Sequence, residues 1–272
     1  MSSFEAVHRW VVSADIMGSG RLGQRAKLRS RRGMYDVFES AFDAVGVAAQ
    51  QMHLEDRGDG VLAALAPHVP PSALVGLWLE EVYQGVREHN AGLHQPLRLR
   101  IAMHGGPVGH DGRGLVGRAV DLTCRLCDSD PARAILAADD TVEVVFVASD
   151  VLYRSVVVEE GRFVEPAHYR PYPVRVKETD ELAWFYVPGR EQPPAPAGAP
   201  VQRGPAGARP APRARAAAGA RAEAGTPRPT KYAITVNGHN QIVDGAEVHG
   251  DVIGFRGADD EHGTGPAGRG RR

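Results

Sequence analysis

Residues 52–67 read MHLEDRGDGVLAALAP. Two β-prone arms flank a charged bend that holds Glu55, Asp56, Arg57 and Asp59, with Gly58 and Gly60 on either side of the last. Apolar arms separated by a D-G break predict a β-hairpin with Asp59 at its turn. Turn chemistry alone accounts for an aspartate there, because short acidic side chains accept hydrogen bonds from nearby backbone.

Outward from the hairpin, the pattern alternates between strand and helix. HRWVVSADI (8–16) reads as a buried strand ending at Asp15, followed by the glycine-rich MGSG. The stretch RLGQRAKLRSRRGMYDVFESAFDAVGV (21–47) is basic at first and then carries apolar residues at helical spacing. PPSALVGLWLEEVYQGVREHN (70–90) opens on proline and closes on Asn90, a helix signature. LRLRIAMHGGPV (97–108) alternates as a strand, and GLVGRAVDLTCRLCD (114–128) turns into a helix. VEVVFVASDVLYRSVVV (142–158) gives a strand and a short helix, and YPVRVKETDELAWFYVPG (172–189) gives two strands. The expected class is α+β, with helices packed on a largely antiparallel sheet.

Composition divides the chain. Residues 1–189 hold the globular pattern, while 190–230 are almost entirely Pro, Ala, Gly and Arg. Such a tract buries too little apolar surface to offset the entropy of ordering, so it is expected to be a disordered linker. As a coil of about 40 residues it would reach roughly 35 Å. Residues 231–257 include KYAITVNGHNQIVDGAEVHGDVIGF, in which β-branched residues stand between Gly, Asn and His. A segment this small has no core of its own, so it is either disordered or pairs with another chain. Residues 258–272 are expected to be a disordered tail.

The formal net charge of −1 gives no sign of a general nucleic-acid binder. No apolar run approaches the roughly 18 residues that span a bilayer, so no membrane partner is expected and the cytoplasm is the expected location. The two cysteines, Cys124 and Cys127, are spaced C-x-x-C on a helical stretch. No further cysteine or H-x₃₋₅-H pair completes a zinc site, and two small reduced, buried residues are the simpler reading.

Asp15 and Asp59 gain meaning together. Asp15 ends a strand before a glycine-rich turn and a helix, where free backbone N–H groups suit phosphate oxygens. If the strands bearing the two aspartates are sheet neighbours, both carboxylates project from one edge, and hard oxygen ligands of that kind hold Mg²⁺. On spacing alone the simpler reading is a turn residue at Asp59 and a helix cap at Asp15.

The blocks VVSADIMGSG, EDRGDGVLAAL, LRLRIAMHGGPV and GLVGRAVDLTCRL resemble, in order and separation, the catalytic domain of class III adenylate and guanylate cyclases. The later YRPYPVRVKET and AWFYVPG are similar to a divergent actinobacterial group of such domains. The resemblance implies a ferredoxin-like βαββαβ fold and a head-to-tail homodimer with sites at its interface. It implies that Asp15 and Asp59, with the backbone of Ile16, bind two Mg²⁺ or Mn²⁺ ions. Arg125 matches the arginine that stabilises charge on the α-phosphate, and Lys177 aligns with a lysine that meets the distal phosphates. The implied activity converts a nucleoside triphosphate to a 3′,5′-cyclic nucleotide and pyrophosphate in intracellular or defence signalling.

Glu55 stands four residues before Asp59, where the family carries lysine in adenylate cyclases and glutamate in guanylate cyclases. A carboxylate accepts from the N1–H and amino group of guanine and offers adenine N1 only repulsion, so GTP is favoured. Two positions depart from the pattern. Gly114 stands where guanylate cyclases have cysteine and adenylate cyclases aspartate, which leaves a pyrimidine substrate open. Asp121 replaces the asparagine that donates to the ribose ring, and an ionised carboxylate has no such hydrogen to give. The segment 231–257 is similar in pattern to short amyloid-type signalling motifs, which implies self-assembly or an effector partner. The competing expectation is therefore a degenerate cyclase-like nucleotide-binding or scaffold protein that recruits an effector through this segment.

Overall fold

The structure is a computed structural model that describes residues 6–196. The segments 231–257 and 258–272, and the linker beyond residue 196, lie outside the described residues.

The strands are β1 (Val7–Ile16), β2 (Met52–Asp56), β3 (Gly60–Leu65), β4 (Leu99–His110), β5 (Leu115–Val116), β6 (Val144–Ser149), β7 (Arg170–Val176) and β8 (Thr179–Tyr186). The helices are α1 (Gln24–Ala44), the single turn α2 (Pro71–Ala73), α3 (Leu79–Asn90), α4 (Arg118–Cys127), α5 (Asp130–Ala138) and the short α6 (Asp150–Leu152). The sheet runs β2-β3-β1-β4-β6-β8-β7, with β5 paired to β4. Within it, β1α1β2β3α3β4 with strand order β2-β3-β1-β4 and antiparallel neighbours is the ferredoxin-like arrangement expected from the sequence. The parallel β4–β6 pair and the antiparallel β6–β8 and β7–β8 pairs extend it.

Alternation along the strands sends side chains to two cores. Val12, Ala14 and Ile16 of β1, with Leu99, Ile101 and Met103 of β4, pack with Met34, Phe38 and Phe42 of α1 and Val82 and Val86 of α3. On the other face Ala102, Val145 and Val147 pack with Leu126 of α4 and Ile135 and Leu136 of α5, while Val11, Leu62 and Ala64 meet Ala119 and Val120 of α4. The period of two therefore assigns Ser13 and Asp15 to the α4/α5 face, along with Arg100.

The helix α5 has no counterpart in the strand and helix pattern read above. Its start is nevertheless marked in the sequence, by Ser129 at the N-cap and Pro131 in the first turn. Its C-terminal end is held by Arg98, whose guanidinium donates to the carbonyls of Leu136, Asp139 and Val142 at 2.5–2.7 Å. A cation donating to orphan carbonyls there also complements the helix dipole. Among the described residues, no helix is long and apolar enough to cross a membrane.

Candidate functional site

The antiparallel β1–β3 ladder places Asp15 opposite Gly60, and the Ile16 N–H donates to the Asp59 carbonyl at 3.0 Å. Asp15 and Asp59 are thus brought to one end of neighbouring strands. The hairpin bend is set by Asp56, whose carboxylate accepts from the Gly58 N–H at 2.7 Å, and by the Arg57 N–H bonded to the Gly60 carbonyl at 2.9 Å. Asp56 therefore supplies turn chemistry at the bend, while the Asp59 carboxylate accepts from Ser19 in the turn after β1.

Two partners of these carboxylates were not singled out from the sequence. Arg100 stands directly opposite Asp15 in the β1–β4 ladder, donates to its carboxylate, and also reaches Asp128 at 3.2 Å. Ser19, from the turn after β1, donates to the Asp59 carboxylate. The two aspartates titrate in opposite directions. Burial raises the Asp15 carboxyl above the ordinary range against the opposing pull of Arg100, with the nearby charges of Asp59 and Asp128 adding to the rise. The Ser19 hydrogen bond is the main cause that lowers Asp59. The structure thus has two carboxylates in electrostatic contact, each holding one oxygen in a hydrogen bond and keeping lone pairs over.

Glu55 and Gly114 also meet. Glu55 Oε1 accepts from the Leu115 N–H at 2.5 Å, and Oε2 accepts from Arg57 at 2.6 Å. A Cβ on Gly114 would lie 3.1 Å from Glu55 Oε1, so the glycine leaves the carboxylate room that a side chain at 114 would tighten. The thiol of Cys124 feels the charges of Arg57, Asp121 and Glu55, which places α4 beside this pair. Cys124 and Cys127 are free thiols, and burial pushes Cys127 up to about 12, far from a reactive thiolate.

Asp121 lies exposed in the first turn of α4, one helical turn before Arg125. Arg125 is docked on the β7–β8 turn, donating to Glu178 at 2.7 Å and to Thr179 Oγ1 at 3.0 Å. Lys177, with φ 52°, forms the same turn. Arg125 and Lys177 are therefore neighbours of one another, whereas the ionic partner of Asp15 within the chain is Arg100.

No protein-family model matches the chain, and no curated protein matches it. Similar solved structures include an adenylate/guanylate cyclase/hydrolase from Silicibacter pomeroyi, at 18% identity and TM-score 0.51 over 68% of this chain and 99% of that one. They also include the guanylyl cyclase Cya2, at 18% identity and TM-score 0.48 over 68% and 92% of the chains. A third is the guanylate cyclase domain of RhGC from Catenaria anguillulae in complex with GTP, at 18% and TM-score 0.45 over 68% and 97%. The first of these carries the comparison, and at such identity it is a likeness of fold. Residues 6–196 thus have the fold of an adenylate/guanylate cyclase catalytic domain.

Proposed function

We propose that the chain is a nucleotidyl cyclase that converts a nucleoside triphosphate, with GTP favoured, to a 3′,5′-cyclic nucleotide and pyrophosphate. The observation that carries this reading is the placement of Asp15 and Asp59 at one end of the β1–β3 ladder in a cyclase-type fold.

The donor set suits a divalent cation. Burial and the charge of Asp59 hold the Asp15 carboxyl toward its neutral form, a strain on the ionised pair that a hard cation between oxygen ligands relieves. Asp15, Asp59 and the backbone of Ile16 are the groups that would hold Mg²⁺ or Mn²⁺, whose chemistry is to acidify the ribose 3′-hydroxyl and neutralise the triphosphate. Arg100 and Ser19 orient the two carboxylates from the side. In the reaction the ribose 3′-oxygen bonds to the α-phosphorus as the bond to the β-phosphate oxygen breaks, and the hydroxyl proton leaves to solvent.

Arg125 supplies a fixed guanidinium for the charge that builds on the α-phosphate, and Lys177 a mobile ammonium for the departing pyrophosphate. Both belong to a different cluster from Asp15 and Asp59, which supports a composite site in a head-to-tail homodimer, the aspartates of one copy facing Arg125 and Lys177 of another. Glu55, held at both oxygens, presents an acceptor edge to guanine, and Gly114 leaves room for it. Asp121, exposed on α4, would meet the ribose through its hydroxyls, which donate to a carboxylate, and leave the ring oxygen without that partner. The linker and the segment 231–257 would tether this domain to an assembly or effector partner in signalling.

Turnover by the full chain, with GTP compared with the other nucleotides and Asp59→Ala as control, tests the reading. A second reading, a nucleotide-binding scaffold with little turnover, is favoured by Asp121 alone. In that case Asp15→Asn would leave the cellular output intact.

A further inference from the structure

Glu55, which faces guanine in the proposed site, also belongs to a second group of ligating side chains at the surface, so an ion held there would compete with the base for its carboxylate. His53 and Glu55 lie two residues apart on β2 and so share one face of the sheet, and His110 closes β4. Their ligating atoms all lie within 4.8 Å of one another, and the two imidazole rings are 4.9 Å apart, edge to face. His53 Nε2 and Glu55 Oε1 are already 3.3 Å apart.

We propose that His53, Glu55 and His110 form a binding site for a zinc-type transition metal ion. Two imidazole nitrogens and one carboxylate oxygen are a donor set that zinc accepts, with a fourth position left to water. Ligands about 2.0–2.1 Å from a tetrahedral ion stand about 3.4 Å apart, so the His53–Glu55 edge of 3.3 Å already has the right length, and His110, within 4.8 Å of both, has to close by no more than about 1.4 Å. The hydrogen bonds from Leu115 and Arg57 hold the Glu55 carboxylate in one orientation, as metal-bound carboxylates usually are held. The ion takes the place of the His53–Glu55 hydrogen bond.

Two features set the cost. Arg57, bonded to Glu55, repels a cation. His110 Nδ1 accepts from the Gly112 N–H at 3.0 Å, so binding through Nε2 moves the ring proton to Nδ1 and releases that bond. The release falls in an exposed turn, where water replaces the lost partner. Mg²⁺, which prefers an all-oxygen shell, has no reason to enter this site. The site would form whether or not the chain turns over a nucleotide.

The test is titration calorimetry of the full chain, freed of transition metals and held in millimolar Mg²⁺, with Zn²⁺ as the titrant, for the wild type, His53→Ala, His110→Ala and Asp59→Asn. Both histidines are exposed, and a thermal melt without metal confirms that each variant folds. The expected result is one Zn²⁺ equivalent whose affinity drops at least about tenfold in either histidine variant and persists in Asp59→Asn. Zn²⁺ should also raise the melting temperature of the wild type and not of the histidine variants. Zn²⁺ binding that is absent from the wild type, or unchanged in both histidine variants, overturns the proposal.

Discussion

Asp15 faces Gly60 across the β1–β3 ladder, and a Cβ at position 60 would collide with the Ala14 carbonyl oxygen. The close approach of the two strands that brings the aspartates together therefore requires glycine at this point. Gly60→Ala is expected to push β3 from β1, costing about 1–3 kcal/mol in urea unfolding and lowering turnover further than the lost stability explains. A variant as stable and active as the wild type would mean that the approach of these strands does not set the site.

The raised Asp15 carboxyl makes a prediction with a definite sign. A group whose folded pKa is raised contributes stability that is full below the ordinary carboxylate range and is lost as pH rises through the raised value. Asp15→Asn keeps an oxygen that accepts from Arg100 but does not ionise. Its stability relative to the wild type should therefore increase as pH rises above the ordinary carboxylate value of about 4. Denaturation series at several pH values read this directly; a variant that instead loses ground with pH would show that the Arg100 pairing outweighs burial.

Gly114 and Glu55 predict a change in base choice. In Gly114→Ala the new Cβ would stand 3.1 Å from Glu55 Oε1, so the carboxylate must give by a few tenths of an ångström and its aim at the base changes. The preference for GTP over ATP, taken as a ratio of kcat/KM, is expected to fall about tenfold or more. An unaltered ratio would separate Glu55 from the base.

Arg125 offers a separation of stability from catalysis. Its pair with Glu178 is largely solvent-exposed on the Glu178 side, so Arg125→Ala should cost at most about 1 kcal/mol of stability. As the residue facing the α-phosphate it should nevertheless cost about 10²–10³ in kcat. Equal small losses in both would leave Arg125 as a brace for the β7–β8 turn.

The alternation of elements made the α+β class legible, whereas the ferredoxin-like core and the weight on the Asp15–Asp59 pair came from the resemblance of the sequence blocks to class III cyclases. What the sequence concealed were facts of register. Arg100 is one of two arginines in LRLRIAM, and only the β1–β4 pairing decides that it meets Asp15, while Arg98, two residues earlier, closes α5. A charge inside a buried strand was the available signal, because such a group must find a partner. Ser19 lay in a glycine-rich turn whose path depends on Gly18 at φ 69°, and no periodicity reports that. The His53–His110 proximity joins residues on β2 and β4, which lie on either side of the β3–β1 pair, through the overhang of β4 and its β5 hairpin.

The central claim is that Asp15 and Asp59 serve nucleotide cyclisation. The most direct measurement incubates the full chain with ATP, GTP, CTP and UTP in turn, with Mn²⁺, and identifies cyclic nucleotide by mass spectrometry, with Asp59→Ala beside it. Cyclic GMP from the wild type and none from the variant is the expected result. No cyclic product from any nucleotide by a folded, dimeric protein, or product that survives in Asp59→Ala, would contradict it.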